Sequence, residues 1–126
     1  MEKKTEENET FQTVMFTSHY SQLVLMLIKP AEDIGEEVHG LDQFIKLESG
    51  SGKDVLDSKE HTLEAGFAVV IPAGTRHNIV NTSQDQPMKL YTVYSPPDHQ
   101  DKLVRGTKKE AVADDVPFDG YVSASR

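Results

Sequence analysis

Cysteine and tryptophan are both absent from these 126 residues. Without thiols, disulfides and thiolate metal sites are excluded, which is compatible with a reducing cytoplasm, the expected location. Without tryptophan, the core has to be assembled from Val, Ile, Leu, Met and a few Phe and Tyr. Positive charge is short: 13 Lys and Arg stand against 21 Asp and Glu, for a formal net charge of -8 and a pI near 5.0. Nucleic acid and anionic membrane both call for clustered Lys and Arg, so neither is an expected partner. Long apolar runs are missing as well. The longest, residues 23–28, falls far short of the roughly 20 residues a membrane span needs. The two lysines of MEKKTEENET have no apolar segment behind them, so no secretory signal is read there.

What remains is a chain of short strands. Residues 11–17 are mixed in character and suit an edge strand. Residues 22–28 are almost continuously apolar, as in a strand covered on both faces. Lys29-Pro30 ends that run. Residues 37–47 form the next extended stretch. The SGSG turn closes it, with residues 54–56 returning as the second half of a hairpin. Residues 60–63 and 88–94 are further strands. Such spacing, with turn signals between, indicates an all-β sandwich or barrel. The expected organisation is a flexible segment at 1–10, one β domain at 11–97 and an extension at 98–126. That extension has helical potential near residues 108–113 and ends in VPFDGYVSASR, read as a tail or a packing arm.

Residues 66–81, GFAVVIPAGTRHNIVN, carry the strongest local signal. The apolar run 67–71 is too short for a helix and rich in β-branched residues. Pro72, Ala73 and Gly74 make a turn, and a second strand follows with His77, Ile79 and Asn81 on one face. In the stretch from Glu37 the odd positions are Glu37, His39, Leu41, Gln43, Ile45 and Leu47. The aliphatic pair at its end turns this face to the core, which takes Glu37, His39 and Gln43 inward too. Burying three polar side chains unpaired costs several kcal/mol by order of magnitude. A shared metal ion would explain them, and so would a hydrogen-bonded cluster or a wet pocket. With His77 the set offers two imidazoles, one carboxylate and one amide oxygen. That donor set suits one divalent transition metal: Zn, Fe, Mn, Ni, Co or Cu.

These stretches resemble the cupin family. Its second motif, G-x5-P-x-G-x2-H-x3-N, is complete in Gly66, Pro72, Gly74, His77 and Asn81. The first, G-x5-H-x-H-x3,4-E-x6-G, is partly kept. Aligned on Gly50, it sets Gln43 at the glutamate position, His39 at the second histidine, Glu37 at the first and Ala31 at the leading glycine. IGEEVHGLDQF, PAGTRHNIVNT and KLYTVYSPP are similar to bacterial cupins labelled mannose-6-phosphate isomerase-like. The resemblance, over residues 22–97, implies a double-stranded β-helix (jelly-roll) barrel with short polar termini. It also implies a metal held by Glu37, His39, Gln43 and His77, and a homodimer. The function it implies is a metal-dependent isomerase-like enzyme or oxygenase acting on a small polar molecule, or else a barrel that binds or senses such a molecule without turning it over.

An isomerase needs a base near the metal. Glu37 and Tyr91 are the candidate catalytic residues. Tyr91 and Tyr94 lie on opposite faces of their strand, so only one of them points into the barrel. Asn81 is read as a structural tie and Arg76 as facing away from His77. His61 is read as solvated, His19 as surface or rim, and His99 as lying over a barrel mouth.

Overall fold

The computed structural model describes residues 2–113, Gly120 and Val122. The chain runs through α1 (Glu2–Glu7), β1 (Gln12–Thr17), β2 (Gln22–Ile28), β3 (Glu37–Val38), β4 (Asp42–Ser49), β5 (Ser51–Leu56), β6 (Lys59–Glu64), β7 (Ala68–Ile71), β8 (Arg76–Val80), β9 (Met88–Ser95), β10 (Val104–Arg105) and α2 (Lys108–Ala113). Two antiparallel sheets face each other, with strand orders β10-β1-β2-β9-β4-β7 and β3-β8-β5-β6. No helix among the described residues is long and apolar enough to cross a membrane.

The core lies between the sheets and follows the period of two. Val24, Met26 and Ile28 of β2, Ile45 and Leu47 of β4, Ile79 of β8 and Leu90 of β9 all point into it. Strand β2 is buried on both faces, as its continuous apolar run requires: Leu25 and Leu27, on its other face, are also buried.

Several expectations are corrected. The stretch 37–47 is two strands. Glu37 and Val38 pair with β8 in the smaller sheet, while β4 pairs with β7 and β9 in the larger. The parity of inward positions survives the break, with Leu41, Gln43, Ile45 and Leu47 all buried. Residues 54–56 do not return as a hairpin on β4. The chain changes sheet at Gly50 (φ 90°), and the hairpin is β5–β6, turning on Asp57 and Ser58, both at positive φ. A two-residue turn with both φ positive matches strand twist, but its usual signature is Asn-Gly, so Asp-Ser conceals it.

The termini are more structured than their polarity suggests. Residues 2–7, expected to be flexible, form α1, with Thr5 fully buried and Lys89 Nζ donating to the Glu6 carbonyl. The extension is part of the larger sheet, because β10 pairs with β1. The expected helix is α2. Its start is capped reciprocally: Thr107 Oγ1 accepts from Glu110 N (3.2 Å) and Glu110 Oε2 accepts from Gly106 N (2.7 Å). Lys108 pairs with Asp33, whose carboxyl it holds below the usual range, and Asn78 Nδ2 donates to the same carboxylate at 3.0 Å. The arm expected at residues 116–126 lies outside the described residues, apart from Gly120 and Val122.

Asn81 is the structural tie its position suggested. Its buried amide donates to the Ile28 carbonyl (3.0 Å) and the Gln86 carbonyl (2.8 Å) and accepts from Ser83 N (3.0 Å). It thereby joins the end of β8 to β2 and to the loop that leads into β9.

Candidate metal centre

Glu37 and His77 are direct cross-strand neighbours on β3 and β8. His39 follows β3 immediately. The turn that begins β8 is fastened to it, since Gly74 N donates to the His39 carbonyl at 2.8 Å and Ala73 N donates to Asp42 Oδ1 at 2.9 Å. Gly74 needs its positive φ, 85°, to make that turn. Each of Glu37, His39 and His77 presents a ligand atom, and these atoms lie within 4.8 Å of one another. The two imidazole rings stand 5.2 Å apart. His77 is buried, and its Nδ1 lies 3.0 Å from the Thr75 carbonyl. That contact makes Nδ1 the protonated nitrogen and leaves the Nε2 lone pair for a ligand role. His39 Nε2 meets Glu37 Oε2 at 2.6 Å, and this hydrogen bond raises the imidazole pKa above its usual value.

Gln43, the fourth expected ligand, is buried on β4 in the other sheet. Its Nε2 donates to Thr92 Oγ1 at 2.9 Å, and its Oε1 is buried with no hydrogen-bond partner, alone in that respect among the described residues. Leaving such a carbonyl oxygen unsatisfied costs about 1–3 kcal/mol. An ion or a water would satisfy it. Two imidazoles, a carboxylate and an orphaned amide oxygen are therefore a donor set that fits a divalent transition metal.

Tyr91 is not part of this site. It sits on the outer face of the larger sheet, its ring 6.2 Å from that of Phe44. The inward tyrosine is Tyr94, buried, with its ring edge-on to His39 at 5.9 Å. Burial pushes its phenol well above the usual pKa, so it stays protonated. Arg76 points outward to Glu36, as strand alternation requires. His19 is exposed. His61 is also exposed, though its Nδ1 reaches the buried Asp54 carboxylate at 2.9 Å. His99 lies closer to the site than its sequence context indicates, its ring 5.2 Å from that of Tyr94.

The family profile "Cupin domain" matches residues 24–94, which holds all four candidate ligands and most of both sheets. This chain belongs to the cupin family. The protein BH2720 solved from Bacillus halodurans superposes with a TM-score of 0.87 at 38% identity over 90% of each chain. "Uncharacterized protein YrkC" of Bacillus subtilis (strain 168) is 40% identical over 119 residues, 88% of this cupin. "Uncharacterized protein L612" of Acanthamoeba polyphaga mimivirus is 47% identical over 103 residues, 77% of it. This cupin spans 63% of the length of each of those two relatives.

Proposed function

We propose that this cupin holds one divalent transition metal through Glu37, His39, Gln43 and His77 and acts on a small polar molecule as an isomerase-like enzyme or an oxygenase. The convergence of Glu37, His39 and His77 within 4.8 Å carries this reading, and the orphaned Gln43 oxygen supports it. A metal bound there would supply Lewis acidity and, if redox-active, oxygen chemistry. The chain's own residues supply the rest. Tyr94 offers a protonated phenol, and Glu37, side chain 40% exposed, is the candidate proton acceptor. The non-catalytic reading, a ligand-binding or sensing barrel, needs the same cluster of side chains.

The test is metal content by mass spectrometry after purification without a nickel-affinity tag. Wild type is expected to carry close to one equivalent and His77→Ala close to none. Sub-stoichiometric metal in wild type, together with no change in thermal stability on adding metal salts, removes the metal reading. With metal present, oxygen uptake on catechols or thiols separates oxygenase from isomerase and binder.

We also propose that the cupin is a homodimer. The outer face of the larger sheet carries an apolar row, Phe16–Leu23–Val93–Phe44–Val70, in cross-strand register over five strands. The row is roughly 19 Å long at ordinary strand spacing. Phe16 is 46% and Val70 65% exposed. A two-fold axis through it would set this face against its own copy, an apolar row flanked on β4 by Asp42 and Lys46. Light scattering is expected to give a dimer mass for wild type and a monomer mass for Val70→Glu. A monomeric wild type ends the proposal.

A further inference from the structure

We propose that His99 is a ligand-contacting residue of this site, set in place by Gln22, and that a small polar compound with one oxygen at Glu37, His39 and His77 would meet the His99 imidazole with a second polar atom. The inference rests on the metal reading above.

The first support is the hold on the loop after β9. Gln22 is buried on β2, and its amide is fully used. Oε1 accepts from Asp98 N (3.2 Å) and His99 N (3.0 Å), and Nε2 donates to the His99 carbonyl (2.7 Å) and to Thr17 Oγ1 (2.9 Å). Three of these four bonds fix the backbone on either side of one imidazole. A residue that merely covered the barrel mouth would need no such fixing.

The second support is where that imidazole lies. It packs edge-on to Tyr94, and Tyr94 packs edge-on to His39, so His99 and His39 flank the same phenol. Glu37 and His39 are both close enough to bear on its protonation. Its own polar contacts are long, 3.5 Å to Gln12 Nε2 and 3.5 Å to Asp98 Oδ2, at or beyond the ordinary hydrogen-bond range. Its hydrogen-bonding capacity is thus largely unspent. Burial lowers its pKa, which favours the neutral ring with one donor and one acceptor.

Acetohydroxamate is a suitable probe, and Co(II), whose visible absorption reports both metal uptake and ligand binding, is a suitable ion. Wild type and His99→Ala are expected to take up Co(II) with the same affinity, while acetohydroxamate binds His99→Ala roughly tenfold more weakly, the scale of one lost hydrogen bond. His99→Gln, which keeps a donor and an acceptor, should recover part of the loss. Gln22→Leu should match His99→Ala. Acetohydroxamate binding within twofold of wild type in His99→Ala, with Co(II) uptake intact, overturns the inference and leaves the metal reading standing. No Co(II) uptake by wild type overturns both.

Discussion

Gly52→Ala is expected to destabilise the protein by at least about 3 kcal/mol, on the order of 10 °C in Tm. A Cβ at residue 52 would sit 2.2 Å from the Val80 carbonyl oxygen and 2.8 Å from Met88 Sδ. The methionine can turn aside, but the carbonyl belongs to β8 and cannot move without parting β5 from β8. Those strands hold the smaller sheet together, pairing Lys53 with Val80 and Leu56 with His77. Gly74→Ala is the matched control. Its φ is 85° but nothing lies within 4 Å of the added carbon, so only the backbone strain remains, about 1 kcal/mol. Urea melts of the two variants check the difference. A Gly52→Ala protein as stable as Gly74→Ala would mean that the two strands do not approach as closely as described.

Asn81→Ala is expected to cost about 3 kcal/mol. Three hydrogen bonds end on this buried amide, each contributing about 1 kcal/mol net, and their loss strands backbone groups of Ile28, Gln86 and Ser83. Asn81→Asp should be worse at neutral pH. A carboxylate only accepts, so it cannot serve the two carbonyls and would face them with negative charge. Equilibrium unfolding of both variants measures this. Losses under 1 kcal/mol would show that water replaces the amide. Metal content should be affected less than stability, because Asn81 lies at the end of β8 and contacts none of the candidate ligands.

Residues 66–81 were legible because turn chemistry and strand parity coincide there. Pro72 and Gly74 fix the turn, and the odd positions His77, Ile79 and Asn81 are all buried. The same parity identified Glu37, His39 and Gln43, although the strand that carries them breaks between the sheets. Parity could not choose between Tyr91 and Tyr94. Both belong to a strand with apolar residues on each face, and only the cross-strand pairing of Gln43 with Tyr94 decides which faces in. Helix α1 gave no signal, since six polar residues have no apolar stripe and its hold on the barrel includes a lysine 83 residues away. His99 was hidden for a related reason. Its position comes from a glutamine 77 residues earlier, through bonds to the backbone that no spacing rule anticipates.

The single backbone bond from Gly74 N to the His39 carbonyl has a bearing on metal choice. Together with the pairing of β3 and β8, it ties the turn preceding His77 to the segment carrying Glu37 and His39. An ion held there as proposed would meet backbone already set to width, with less freedom to draw the ligands toward itself. Ionic radius and preferred coordination geometry then weigh against the intrinsic order of affinities, which would otherwise hand any nitrogen–oxygen site to copper.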